Sequence, residues 1–153
     1  MFYIEDVCEN KLLTIEYTKG EYSFESIPRY SADISLLIDY LELCFDSNTK
    51  RLRRICGMCA HTAWIDKKLT PPLCSYGSLM LKKDIKSGDV IRISENQNVY
   101  YDKNSGWVCI GEYDSEKSRS VGVSQSIIVS LEDNNISAVW LRPEFVDGGR
   151  ICV

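Results

Sequence analysis

With 153 residues, 44% hydrophobic and 26% charged, the chain has the size and composition of one folded domain, 1–153, long enough to bury a core. A net charge of −4 argues against general nucleic-acid binding. No apolar run approaches the roughly 18 residues of a membrane span, and the acidic start MFYIEDVCEN lacks the regions of a secretory signal, so a cytoplasmic setting is expected.

In chain order, FYIE at residues 2–5 reads as a short strand. LLTIEY at 12–17 and EYSF at 21–24 read as a hairpin turning at Lys19-Gly20. From Ser31 or Asp33, either a capping residue, Ile34, Leu37, Ile38, Leu41 and Phe45 follow the i, i+3, i+4, i+7 spacing of a helix face. Leu36, Tyr40, Leu43 and Cys44 widen that face and leave a stripe of Ser35, Asp39, Glu42 and Asp46. The spacing predicts a mostly buried helix with one acidic strip, ending at Asp46-Ser47-Asn48. The basic run Lys50-Arg51-Leu52-Arg53-Arg54 follows, placed favourably for a helix C-terminus.

Beyond residue 54 the signals are β. Expected strands are RICGMC, HTAWI, SLMLK and VIRI, the last opened by Ser87-Gly88-Asp89. VYYD and WVCIG form a hairpin across Lys103–Gly106. Glu112 to Ser120 reads as a mobile loop. SIIVSL (126–131) pairs with ISAVWL (136–141) across Glu132–Asn135, and Pro143 ends the strand because it cannot donate to a ladder. The tail DGGRICV is expected to be short and flexible apart from its last apolar residues. The whole predicts an α+β domain: a curved antiparallel β-sheet or partly closed β-barrel with one main α-helix in the N-terminal half.

Charge is distributed in blocks. Residues 1–46 carry ten acids against three bases, a segment charge of −7; residues 47–103 carry eleven bases against five acids, or +6. Such blocks either present an acidic face to a basic partner or meet in the fold and neutralise each other. The acidic residues nominated for partner binding are Asp39, Glu42 and Asp46 on the expected helix, and Glu112, Asp114 and Glu116 on the loop.

The stretch from Arg53 to Cys74 holds three of the seven cysteines and the only histidine. Cys56 and Cys59, two residues apart, can grip one metal ion, with His61 and Cys74 completing a zinc tetrahedron. The second ligand pair of a structural zinc site is absent, and the β-forming neighbours make RRICGMCAHTAWI read as a core strand pair. The odd cysteine count fits unpaired thiols under reducing conditions. No cofactor is expected on this reading; zinc belongs to the alternative. Neither a nucleophile elbow nor a phosphate-cradling glycine loop is present, so no enzyme activity is expected.

HTAWI, GWVCIG and ISAVWLRPEF, with Trp140-Leu141-Arg142-Pro143 ending a strand, resemble small immunity proteins of bacterial contact-dependent growth inhibition and related polymorphic toxin systems. The resemblance covers about the last two thirds of the chain. It implies a cytosolic, non-catalytic protein that binds and blocks the C-terminal nuclease domain of a cognate, basic toxin, without direct contact with nucleic acid or membrane. It transfers no binding residues. The alternative is a small metal-binding or thiol-dependent protein using Cys56, Cys59, His61 and Cys74.

Overall fold

The strands are set by runs of β-branched, aromatic and leucine residues whose buried positions alternate. The structure is a computed structural model that describes residues 1–9, 11–82 and 84–147. Among these residues fifteen strands form, in the order β1 (Phe2–Glu5), β2 (Thr14–Thr18), β3 (Ser23–Ile27), β4 (Ile34–Ile38), β5 (Leu41–Phe45), β6 (Leu52–Met58), β7 (Ile65–Asp66), β8 (Ser78–Leu81), β9 (Val90–Ser94), β10 (Val99–Tyr101), β11 (Val108–Gly111), β12 (Arg119–Ser124), β13 (Ile127–Glu132), β14 (Asn135–Leu141) and β15 (Glu144–Val146). The only helical pieces among the described residues are two 3₁₀ turns, Lys19–Glu21 and His61–Ala63. No helix there is long and apolar enough to cross a membrane.

Three open sheets result. A seven-stranded sheet runs β15-β2-β3-β6-β5-β4-β9, a six-stranded sheet runs β12-β13-β14-β11-β10-β7, and β1 pairs with β8 alone. One apolar core joins them. It takes Ile15, Tyr17, Phe24, Leu36, Leu43 and Ile55 from the first sheet, Val108, Val129 and Val139 from the second, and Phe2 and Leu79 from the third. A smaller cluster lies on the far face of the six-stranded sheet. There Trp107, Cys109, Ile128, Ala138 and Trp140 are covered by Leu69, Cys74 and Tyr113. Asp102 holds this cover in place: its carboxylate accepts the Leu69 N–H at 2.9 Å, and that bond, with two more from Asn104 and Ser105, keeps it below the usual carboxylate range.

The structure overturns the α+β expectation: half the chain is strand, and among the described residues no main helix forms and no sheet closes into a barrel. Residues 34–45 are the hairpin β4–β5, paired Ile34↔Phe45 through Ile38↔Leu41 around the two-residue turn Asp39-Tyr40. The physical reason is a degeneracy. Ile34, Ile38, Leu41 and Phe45 satisfy a 3.6-residue period, yet with a turn at 39–40 they join Leu36 and Leu43 in a period-two face, and all six are buried. Asp39 takes a φ of +52°, which Asp tolerates. Asp33 is no helix cap; its carboxylate accepts the Ser47 N–H and hydroxyl at 2.8 and 2.5 Å, tying together the open ends of the hairpin. Stripping out the helix also dissolves its acidic strip.

Most other strand expectations hold within a residue or two. HTAWI does not form a full strand: it becomes a 3₁₀ turn, Trp64 and the start of the two-residue β7. The last hairpin turns more tightly than expected, on Asp133-Asn134, both with positive φ. The expected loop yields to β12 at Arg119, and β15 appears beyond Pro143. The expectation for the tail concerns residues 147–153, of which 148–153 lie outside the described residues.

Candidate functional site

The chain passes between the two large sheets at residues 59–64, from β6 to β7, and at residues 95–98, from β9 to β10. These crossings and the Asp39-Tyr40 turn enclose a cleft of about 640 Å³ at one end of the molecule. Its walls are largely apolar: Tyr22, Ile38, Leu41, Met58, Ala63, Trp64, with Val99 and Ile110 beneath. Tyr40 and Met58 are 70% and 59% exposed at its rim. Trp64 joins the cleft to an aromatic cluster behind it, lying 4.8 Å from Tyr17 and 5.4 Å from Tyr101, ring centre to ring centre.

This edge is fixed by specific contacts. Gly57, at φ +117°, lets β6 run against the β4–β5 turn; a Cβ there would strike the Tyr40 carbonyl. The buried Tyr17 hydroxyl donates to the Cys59 carbonyl at 2.5 Å and accepts the His61 N–H at 3.0 Å. Burial pushes Tyr17 up to about 12. The His61 ring stacks on Tyr22 at 5.2 Å, and its Nδ1 lies 3.3 Å from the Tyr17 hydroxyl.

Of the acidic residues nominated from the sequence, Asp39 reaches this rim. The Asp39 carboxylate accepts the N–H groups of Asn96 and Gln97 at 2.7 and 3.0 Å, which fixes its charge at the mouth of the cleft. Glu112 lies instead on the far face of the six-stranded sheet, beside Tyr113 and Trp140, where it accepts the Tyr100 hydroxyl at 2.5 Å and the Asn98 side-chain amide at 3.3 Å. Glu42 projects from the outer face of β5 into a thiol cluster. Asp46 caps the turn after β5 through Asn48 and Thr49. Asp114 accepts the Glu116 N–H within the loop before β12, where Glu116 is exposed. Tyr22, Tyr40 and Met58 were not legible as rim residues, because their placement depends on the hairpin hidden under a helical period.

No protein-family model matches the sequence, and no curated protein matches it.

The four thiol and imidazole ligands of the alternative reading lie in three places. Cys56 faces outward from β6. Cys59, at the cleft, accepts the Trp64 indole N–H at 3.4 Å, with His61 beside it, while Cys74 packs over the far face of the six-stranded sheet. Burial raises the Cys59 and Cys74 thiols, and takes Cys109 to about 12, so these three stay protonated and unreactive at neutral pH.

The charge blocks partly meet. Arg51, from the basic run, pairs with Glu5 at 3.2 Å and Glu9 at 2.7 Å, and Arg54 pairs with Glu25 at 3.0 Å. A second, more open cleft of about 700 Å³ lies beside Lys67, Lys68 and Lys103, but Asp66 and Asp102 line it too, and Lys103 pairs with Asp66 at 3.5 Å.

Proposed function

We propose that the chain is a non-catalytic binding protein, and in its most specific form an immunity protein that neutralises the C-terminal domain of a bacterial toxin. The observation that carries the reading is the apolar cleft rimmed by Tyr22, Tyr40 and Met58, with the carboxylate of Asp39 at its edge. An exposed aromatic and methionine rim over a preformed pocket has the composition of a protein-contact hot spot. Its occupant is an apolar side chain of the partner flanked by lysine or arginine: the apolar walls receive the anchor, and the held Asp39 carboxylate meets the cation. Inhibition is stoichiometric, by covering the toxin's working surface.

The test is co-expression with the C-terminal region of the secreted protein encoded directly upstream. The expected result is an equimolar complex on size-exclusion chromatography and relief of growth arrest. Met58→Glu is expected to weaken the complex at least about ten-fold by calorimetry. Leu73→Glu, at an exposed apolar residue away from the cleft, should leave it unchanged. Absence of both complex and protection overturns the reading.

A further inference from the structure

The outer face of the seven-stranded sheet holds a cluster unrelated to the cleft. On the paired strands β5 and β6, Glu42 sits directly opposite Cys56, and Cys44 directly opposite Arg54. Cys44 is therefore the diagonal neighbour of Cys56 on the same face. The Cys44 and Cys56 sulfurs and a Glu42 carboxylate oxygen all lie within 4.8 Å of one another, with Cys56 Sγ 3.9 Å from Glu42 Oε2. This is the only such group of three among the described residues.

We propose that Glu42, Cys44 and Cys56 form a binding site for a thiophilic divalent cation, Zn²⁺ being the fitting ion. Three arguments carry it. First, tetrahedral zinc with Zn–S bonds near 2.3 Å separates two thiolates by roughly 3.8 Å, so small side-chain rotations close this set onto one ion. Second, the diagonal placement suits a metal bridge and opposes a disulfide. Diagonal positions across antiparallel strands stand about 7–8 Å apart, beyond the usual reach of a disulfide, which needs backbones within about 6.8 Å. Third, the charges match. Two thiolates and a carboxylate offer three negative charges to a dication, and the neighbouring Arg54 is already engaged by Glu25 at 3.0 Å. Cys44 and Cys56 are 6% and 8% exposed and Glu42 is partly exposed, so water reaches the fourth coordination position from the Glu42 side. Binding releases the two thiol protons and ties β5 to β6 on the outer face.

The test uses the reduced full chain, with Co²⁺ alone as a spectroscopic probe and Zn²⁺ alone as competitor. The expected result is one equivalent of cobalt giving a thiolate-to-cobalt charge-transfer band that zinc abolishes. Cys44→Ser and Cys56→Ser should each weaken zinc at least about 100-fold, and Glu42→Gln about ten-fold. Cys59→Ser and Cys74→Ser should leave the band intact. If Cys44→Ser loses its β-sheet circular dichroism, Glu42→Ala, at a partly exposed position, carries the comparison instead. A wild-type chain without the band overturns the site, as does a cobalt affinity unchanged from wild type in folded Cys44→Ser or Glu42→Ala, or a band lost in Cys59→Ser. Toxin binding at the cleft is read separately, so failure of either proposal leaves the other standing.

Discussion

Tyr17 shows how one side chain sets a local structure. Its ring is wholly buried against Phe24 at 4.7 Å, yet its hydroxyl reaches the backbone on both sides of residue 60, accepting from His61 and donating to Cys59. The segment 59–61 leaves β6 without a ladder partner of its own, apart from the Cys59 N–H, which donates to the Tyr22 carbonyl at 2.7 Å. Tyr17 therefore supplies the polar contacts that hold the chain as it turns between sheets. Tyr17→Phe keeps the ring and removes both bonds, and is expected to lower stability by about 1–2 kcal/mol in chemical denaturation. The pH dependence has a definite sign. A tyrosine raised from 10 to about 12 binds its proton more tightly folded than unfolded, so its contribution is complete below pH 10 and is lost as pH rises from 10 through 12. The wild-type advantage over Tyr17→Phe should be constant from pH 7 to 9.5 and shrink above 10. An advantage that grew with pH would contradict the burial argument.

The hairpin β4–β5 carries the lesson at the scale of an element. Its core face and a helix face share Ile34, Ile38, Leu41 and Phe45, so spacing alone does not separate them. The signal for a strand lies in Leu36 and Leu43, which a helix must treat as excess width and a hairpin places in line. The hairpins β2–β3, β10–β11 and β13–β14 were legible because Gly, Asn and Asp punctuate alternating runs; this one turns on Asp39-Tyr40, a weak turn signal. The site suffered accordingly. Cys44 and Glu42 are two residues apart, which places them on one side of a strand but 200° apart around a helix, so their meeting with Cys56 was invisible from the sequence. Cys56 was legible as a metal-ligand candidate, but its partners come from across the sheet instead of along the chain. The packing of this hairpin on β6 depends on Gly57, paired with Leu41 at a backbone distance that leaves no room for a Cβ. Gly57→Ala combines an unfavourable φ with a backbone collision, and is expected to cost about 2 kcal/mol or more. It should also displace Tyr40, weakening binding at the cleft beyond what its stability loss alone produces; unchanged stability would mean that β6 is not held against this turn.

For the molecule as a whole, the question is what keeps two open sheets in register when their strands are drawn from distant parts of the chain. The two-fold answer is a shared aliphatic core and an aromatic cluster where chain crossings converge. After Leu141, paired in the six-stranded sheet, Arg142-Pro143 carries the chain across, and Glu144 pairs with Glu16 on the seven-stranded sheet. Proline, expected to end a strand, ends it by sending the chain to the other layer. Phe145 then packs on Tyr17 of one sheet at 5.8 Å and Tyr101 of the other at 5.5 Å, and on Trp64, from the second crossing, at 6.3 Å. Two crossings far apart in sequence are thus fastened through one set of rings, and the same Trp64 lines the cleft. Phe145 is only half-buried, so its removal costs less than a core phenylalanine: about 1–2 kcal/mol, or a fall of roughly 3–6 °C in Tm for a chain of this length. Because the cluster supports both layers at the cleft, Phe145→Ala should change the near-ultraviolet circular dichroism of the aromatic residues and reduce partner affinity, although Phe145 does not line the cleft. A control at Trp140, whose ring packs with Tyr113 on the far face, separates the two effects: Trp140→Phe should lower Tm while leaving affinity intact. Equal loss of affinity in both variants would show that the cleft responds to global stability, and the fastening role assigned to Phe145 would fall.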